Sequence, residues 1–126
     1  HRDLHSFPTR RSSDLLKRVY LNATRIGRMA VMYEEDWLVY DDLANSTVVI
    51  RHGDGSWDIV SPTVGKYRLI GVDAQDTIYI AKLNSDGMAT AILAGKSKGK
   101  FIEERAYTTA RDVTQITVKE LGKPVR

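Results

Sequence analysis

The chain contains an internal repeat, and this repeat restricts the folds that it can adopt. The first copy covers residues 28–60 and the second covers residues 68–105. The copies correspond at an offset of 40 residues in their first halves and 44 in their second halves. The matched positions are Arg28 with Arg68, residues 34–36 with 74–76, residues 38–40 with 78–80, Gly55 with Gly99, and Trp57 with Phe101. Two similar units must therefore follow one another.

Each copy offers four short apolar stretches separated by turn residues, which predicts four strands per unit. The predicted strands cover residues 28–33, 37–41, 46–51 and 56–60 in the first copy, and 67–72, 77–83, 88–93 and 100–105 in the second. Turn signals are strongest at residues 52–55 (HGDG), 84–87 (NSDG) and 95–99, because Gly accepts the positive φ angles of tight hairpins. Helical periodicity is nearly absent, so the fold class is all-β.

A period of roughly 40–45 residues with four strands per repeat resembles a β-propeller blade. The apolar inner strands and the more polar last strand of the second copy favour the same interpretation. Antiparallel four-stranded blades of a truncated propeller are therefore expected. The alternative is a small β-sandwich or β-meander domain that closes on itself.

The propeller interpretation divides the chain as follows. Residues 16–27 form a remnant strand of a preceding blade, 28–66 the first blade, 67–113 the second, and 114–126 the start of a further blade and a tail. Within these limits, residues 107–113 are expected to be a polar connection, and the alternating residues 116–121 a strand.

The first fifteen residues, HRDLHSFPTRRSSDL, resemble the frame translation of a common short-read sequencing adapter. The match runs from His1 to Leu15 without a gap. We expect this segment to be a disordered artefact of sequence assembly, and we leave it out of fold reasoning. The chain is then expected to be a fragment of a longer, metagenomic or otherwise assembled gene.

Composition excludes several function classes. The formal net charge is only +3 at pH 7, and the first fifteen residues contribute part of it, so nucleic-acid binding is not expected. The chain has no cysteine, which excludes disulfides and thiolate metal sites. No apolar run approaches the roughly 20 residues of a membrane helix. No cofactor motif is present.

Residues 52–57 (HGDGSW) resemble the Asp-box turn of sialidase-like propellers, Ser-x-Asp-x-Gly-x-Thr-Trp. Asp54, Gly55 and Trp57 match in type, although the spacing from Gly55 to Trp57 is one residue short. In that family the turn is structural and its aromatic residue packs between strands. The resemblance therefore implies a fold and no activity.

Carboxylates are numerous in the turns, but their spacing does not specify a reaction. The acidic patch formed by Glu34, Glu35, Asp36, Asp41 and Asp42 has ligand types that suit calcium, but it lacks an EF-hand pattern. Solvated turn carboxylates are the expected interpretation, and no metal site is predicted.

Two carboxylate pairs are candidates for acid–base chemistry: Asp54 with Asp58, and Glu103 with Glu104. Glycosidase chemistry needs two carboxyl groups about 5–10 Å apart across a sugar. Glu103 and Glu104 are neighbours on a strand and point to opposite faces. No catalytic residue is therefore assigned.

The candidate binding residues are Trp57, Tyr40, Trp37, His52 and Asp54. His52 is the only histidine outside the first fifteen residues, and a lone turn histidine beside a glycine is expected to be solvated rather than a base. The aromatic residues are expected mostly in the core, with any one exposed at a rim able to stack on a sugar. Lys96, Lys98 and Lys100 form a basic hairpin that suits phosphate or an acidic partner, and a solvated loop explains these lysines equally well.

Three functions stay open at this stage. The preferred one is a non-catalytic binding or scaffold module that presents loops to a protein or glycan, in a microbial surface protein or phage virion. The second is a fragment of a propeller enzyme acting on glycans, with its catalytic residues outside this chain. The third is a purely structural repeat. Exposed blade edges also predict self-association.

Overall fold

The computed structural model describes residues 25–32 and 36–125. Three expectations fall wholly or partly outside these residues: the adapter-like segment, the remnant strand of the preceding blade, and the acidic residues Glu34 and Glu35.

Within these described residues, eight strands form in the order expected from the repeat. Their bounds are β1 Ile26–Met32, β2 Trp37–Asp42, β3 Thr47–Arg51, β4 Trp57–Ile59, β5 Lys66–Val72, β6 Ile78–Leu83, β7 Ala89–Gly95 and β8 Ile102–Arg111. They make two antiparallel four-stranded sheets, β1-β2-β3-β4 and β5-β6-β7-β8. Each strand pairs with its neighbour in sequence, so each sheet is a meander. The all-β prediction is confirmed at this level.

The backbone reproduces both offsets of the repeat. Asp36 and Asp76 lie 40 residues apart in equivalent turns, and both have positive φ angles, 52° and 61°. Gly55 and Gly99 lie 44 residues apart, and their φ angles are 93° and 102°. A positive φ is costly for most residues, so its recurrence at matched positions shows that the two units share their turn geometry as well as their strands.

A hydrophobic core fills the space between the two sheets. The first sheet contributes Met32, Val39, Val48 and Ile50 to this core, and the second sheet contributes Tyr67, Leu69, Val72, Ile78 and Ile80. Side chains alternate along a strand, so the neighbouring residues of the first sheet point to its other face. There Leu38, Tyr40 and Val49 form a separate buried cluster.

A buried carboxylate joins the two sheets. Asp41 at the end of β2 accepts hydrogen bonds from the backbone N–H of Arg28 at 2.9 Å and from Arg68 Nε at 3.1 Å. It also accepts one from the backbone N–H of Leu69 on β5. Gly27 is needed beside it, because a Cβ there would lie 2.6 Å from the Asp41 carboxylate. Polar contacts therefore add to the apolar packing of β5 on the first sheet.

The end of the chain differs from the expected third blade. The segment predicted as a strand over residues 116–121 contains no strand: 3₁₀ turns cover Val113–Gln115 and Lys119–Leu121. Asp112 caps the first turn through the N–H of Thr114, and Gly122 closes the second with a φ of 79°. These turns cover the far face of the second sheet, where Val113, Ile116, Val118 and Leu121 join the cluster around Ile70 and Tyr79.

The predicted connection over residues 107–113 is also wrong for most of its length, because β8 continues to Arg111. The polar side chains of this region are compatible with an edge strand that faces solvent. Residues 102–106 are all exposed. Its polarity therefore reflects its position at the sheet edge and not a loop.

Candidate functional site

A cleft of about 420 Å³ opens where the end of β1 and the start of β2 meet the β5–β6 and β7–β8 turns of the second sheet. Ligand pockets span about 300–1,000 Å³, so this volume suits a small molecule or a short segment of a larger one. The first sheet supplies one wall and the second sheet supplies the other. The lining residues are Met32, Trp37, Gln75, Asp76, Lys96, Ser97 and Lys98.

Trp37 forms the aromatic wall, and the β3–β4 turn holds it in place. Its indole meets the His52 ring edge-on, with centroids 4.2 Å apart and planes at 89°. His52 Nε2 lies 2.8 Å from Asp58 Oδ2 on β4. The His52 side chain is only 21% exposed, so it differs from the solvated turn residue that the sequence predicted. The His52 ring therefore packs against the Trp37 indole without lining the cleft itself.

Asp73 shapes the opposite wall by organising the β5–β6 turn. Its Oδ1 accepts hydrogen bonds from the backbone N–H groups of Gln75 and Thr77, both at 2.9 Å. Its Oδ2 accepts one from the Tyr79 hydroxyl at 2.9 Å. These bonds hold the tight turn that places Gln75 and Asp76 at the cleft.

Electrostatics at this turn favour the ionised carboxylate. Burial alone raises the pKa of Asp73, but the Thr77 N–H, the Tyr79 hydroxyl, the Gln75 N–H and nearby Lys96 together lower it below its ordinary value. The pKa of Tyr79 is raised by burial and by its hydrogen bond to Asp73. Both shifts describe a neutral phenol that donates to a charged acceptor.

We expect Tyr79→Phe to lower the free energy of unfolding by about 2 kcal/mol at pH 7, because it removes a buried hydrogen bond to a charged group. The folded pKa of Asp73 is depressed, so its stabilising contribution is present above the unfolded value of about 3.9 and is lost as pH falls through the folded pKa. The difference between wild type and Tyr79→Phe should therefore shrink below about pH 4. Urea titrations from pH 3 to pH 7 measure it.

Tyr67→Phe is the matched control for this prediction. The Tyr67 hydroxyl donates to the backbone oxygen of Val64 at 3.0 Å, and a carbonyl does not titrate in this range. Its cost, about 1 kcal/mol, should be constant with pH. A Tyr79→Phe cost that is equally constant would contradict the role given to Asp73.

The β7–β8 hairpin brings lysines to the cleft. Lys96 Nζ donates to the backbone oxygen of Gln75 at 2.6 Å, which ties this hairpin to the β5–β6 turn. Phe101 anchors the base of the hairpin: a Cβ at Gly95 would lie 2.9 Å from its ring. Lys98 is exposed at the cleft. The basic hairpin predicted from the sequence therefore becomes part of a defined site.

The structure separates the five predicted binding residues. Trp37 lines the cleft and His52 supports it. Tyr40 is only 6% exposed and belongs to the cluster on the other face of the first sheet, so it lies outside the cleft lining. Trp57 is 58% exposed, which corrects its expected core position. It pairs with Arg51, which pairs with Leu38, so it lies on the face opposite Trp37.

Asp54 has a local role in the β3–β4 turn. Its Oδ1 accepts hydrogen bonds from the Ser56 hydroxyl at 2.6 Å and the Ser56 N–H at 2.8 Å, and these lower the pKa of Asp54. These bonds fix the conformation of the β3–β4 turn. The turn does not bring Asp54 into the cleft lining.

Sequence reasoning missed Met32, Gln75, Asp76 and Ser97 as site residues. The signal that was available is topological. In a meander, alternate hairpins lie at the same end of the sheet, so the turns after β1 and β3 share one end of the first sheet and those after β5 and β7 share one end of the second. The convergence of two sheets at these ends depends on their packing, which the sequence pattern does not specify.

Within residues 25–32 and 36–125, no three His, Cys, Asp or Glu side chains are grouped so that they could hold a metal ion. The same residues contain no helix that is long and apolar enough to cross a membrane. No protein-family model matches the chain, and comparisons with curated proteins and with solved structures find no match either.

Proposed function

We propose that the chain is a non-catalytic binding module built from propeller-type blades, and that it holds a saccharide in the cleft between its two sheets. The cleft carries this proposal: an aromatic wall on one sheet faces amide, hydroxyl and ammonium groups on the other. The blade assignment and the binding function are separate steps, and each has its own support.

The blade assignment is supported by the directions in which equivalent faces of the two sheets point. Leu69, Ile78 and Ile80 of the second sheet pack toward the first sheet. Their repeat counterparts in the first sheet are Met29, Leu38 and Tyr40, which cluster on the face turned away from the second sheet. Equivalent faces therefore point in the same direction in both units. Stacking of successive units in one direction is what a ring of blades requires.

The choice of a saccharide follows from the mixture of groups in the cleft. Pockets for small ligands combine apolar and aromatic walls with a few convergent polar groups. The Trp37 ring offers a flat apolar surface for the carbon skeleton of a sugar. Across the cleft, the Gln75 amide and the Ser97 hydroxyl can both donate and accept hydrogen bonds, which suits sugar hydroxyls.

We propose binding without catalysis because of where the carboxylates near the cleft lie and which hydrogen bonds they make. Glycoside hydrolysis needs a pair of carboxyl groups facing each other across the sugar. Among the described residues that line the cleft, Asp76 alone carries a carboxylate. The Asp58 carboxylate is hydrogen-bonded to His52, whose ring supports Trp37. These groups therefore hold the binding wall in position.

Trp37→Ala should weaken saccharide binding at least about tenfold, because the variant loses the stacking wall. Trp57→Ala is the matched control: it removes the other tryptophan of the chain, which lies on the opposite face, and should leave affinity unchanged. A panel of immobilised glycans identifies ligands, and titration calorimetry measures their affinity for both variants.

Trp37 also packs against the core between the sheets, so Trp37→Leu is tested in parallel to preserve apolar packing. Both variants are first checked by circular dichroism and thermal melting. If Trp37→Leu is folded and binds as well as wild type, the cleft is not the site. Failure of wild type to bind any glycan on the panel would favour the purely structural alternative.

A further inference from the structure

We infer that the saccharide held by the cleft is acidic, and that Lys98, with Lys96, binds its carboxylate. This inference rests on the proposed function, because it names the class of ligand for the same cleft. It depends on a separate observation: the carboxylates of the β5–β6 turn are buried, whereas the lysine ammonium groups are exposed.

The carboxylates of the β5–β6 turn, Asp73 and Asp76, are both largely buried. Both oxygens of Asp73 accept hydrogen bonds from the β5–β6 turn and from Tyr79, and the residue is buried. Asp76 lines the cleft but is 94% buried, since only 6% of its surface is exposed. Neither carboxylate therefore presents its charge freely to solvent.

The ammonium groups are presented to solvent instead. Lys96 and Lys98 are both exposed and line the cleft. The Lys96 ammonium donates one hydrogen bond to the Gln75 carbonyl. This bond fixes the position of the ammonium group and leaves it two further N–H donors. Lys98 lies two residues along the same hairpin. On the wall opposite Trp37, the charged side chains that are exposed are therefore the two lysines, whereas Asp73 and Asp76 are buried.

This arrangement suits a uronic acid better than a neutral sugar. The ring of the sugar packs against Trp37 on the first sheet, while its carboxylate faces the lysines on the second sheet. A lysine ammonium is a compact point charge that attracts a carboxylate without requiring a fixed planar geometry. The attraction is screened by salt, so the affinity should fall as ionic strength rises.

The test compares tetragalacturonic acid with its methyl ester, because esterification removes the charge and keeps the sugar rings. At low salt we expect the acid to bind at least about tenfold more tightly than the ester, as measured by titration calorimetry on the full chain. Lys98→Glu should weaken binding of the acid about tenfold or more and leave binding of the ester nearly unchanged.

Lys82→Glu is the matched control, since it makes the same change in net charge at an exposed position toward the other end of β6. It should bind both ligands as wild type does. A sulfated galactan oligosaccharide forms a third arm. If it binds and tetragalacturonic acid does not, the carboxylate assignment is overturned.

The outcomes separate this inference from the proposed function. If the ester binds as tightly as the acid, the acidic ligand class is wrong, whereas saccharide binding in the cleft stands. The same follows if Lys82→Glu weakens binding as much as Lys98→Glu, because the effect is then one of net charge. If no glycan of any class binds, the proposed function fails and this inference fails with it.

Discussion

Replacing Asp41 with alanine is expected to lower the free energy of unfolding by about 3–5 kcal/mol, because a buried ionic partner is removed from one side only. Asp41 is 1% exposed and accepts hydrogen bonds from Arg28, Arg68 and Leu69. Its loss leaves the guanidinium of Arg68 without its carboxylate and the N–H of Leu69 without its acceptor. Urea denaturation monitored by circular dichroism at neutral pH measures the effect.

Asp42→Ala is the matched control for Asp41→Ala. Asp42 is the next residue, and its carboxylate accepts hydrogen bonds from Asn45 within the β2–β3 turn. We expect its removal to cost about 1 kcal/mol. Asp41→Asn keeps one acceptor oxygen and should fall between the two. Equal costs for Asp41→Ala and Asp42→Ala would show that Asp41 does not link the sheets.

The role of Asp41 also marks what sequence reasoning could not reach. In the sequence it belongs to a run of acidic turn residues, for which solvated carboxylates are the expected interpretation. Two of its partners, Arg68 and Leu69, lie 27 and 28 residues further along the chain. No local pattern encodes a contact between two sheets. Burial of this carboxylate becomes visible only when β5 is packed on the first sheet.

The strands themselves were predictable, because their signals are local. Apolar stretches bounded by turn residues located all eight strands. Gly55 and Gly87 have positive φ angles within the hairpin turns predicted at HGDG and NSDG. The repeat added a check that no single stretch provides, since an element found in one unit had to recur in the other. Repetition therefore located the sheets more securely than composition did.

Aromatic residues were harder to place, because an apolar side chain in a strand can face either side of its sheet. The sequence predicts both Tyr40 and Trp57 as binding residues. The structure puts both on the same face of the first sheet, but Tyr40 is buried on a central strand and Trp57 is exposed on the edge strand β4. Exposure here depends on whether the strand lies at the centre or at the edge of the sheet. The identity of a single residue does not reveal the position of its strand.

The C-terminal segment shows why alternation alone did not establish a strand. Ile116, Val118 and Leu121 are buried while Thr117, Lys119 and Glu120 are exposed. A strand would give nearly the same pattern, and so does an irregular segment that lays one side against a sheet. The structure contains 3₁₀ turns on either side of a short extended stretch, with Ile116 at φ −95° and ψ 133°.

Ile116→Ala is the second prediction with a large expected effect. Ile116 is 0% exposed and packs with Val113, Val118 and Leu121 against the far face of the second sheet. Truncating a fully buried isoleucine removes its apolar contacts and leaves a cavity, so we expect a loss of about 3–4 kcal/mol in the free energy of unfolding. Gln115→Ala, an exposed neighbour in the same segment, should change it by less than about 0.5 kcal/mol.

Hydrogen exchange adds a spatial test of the same claim. If the C-terminal segment covers the second sheet, Ile116→Ala should weaken amide protection in β6 and β7 more than in β2 and β3, because the apolar face left open belongs to the second sheet. Equal loss in both sheets would mean that the two sheets unfold as one cooperative unit. Stability matching that of Gln115→Ala would contradict the covering role. The segment would then contribute little to the core around Tyr79.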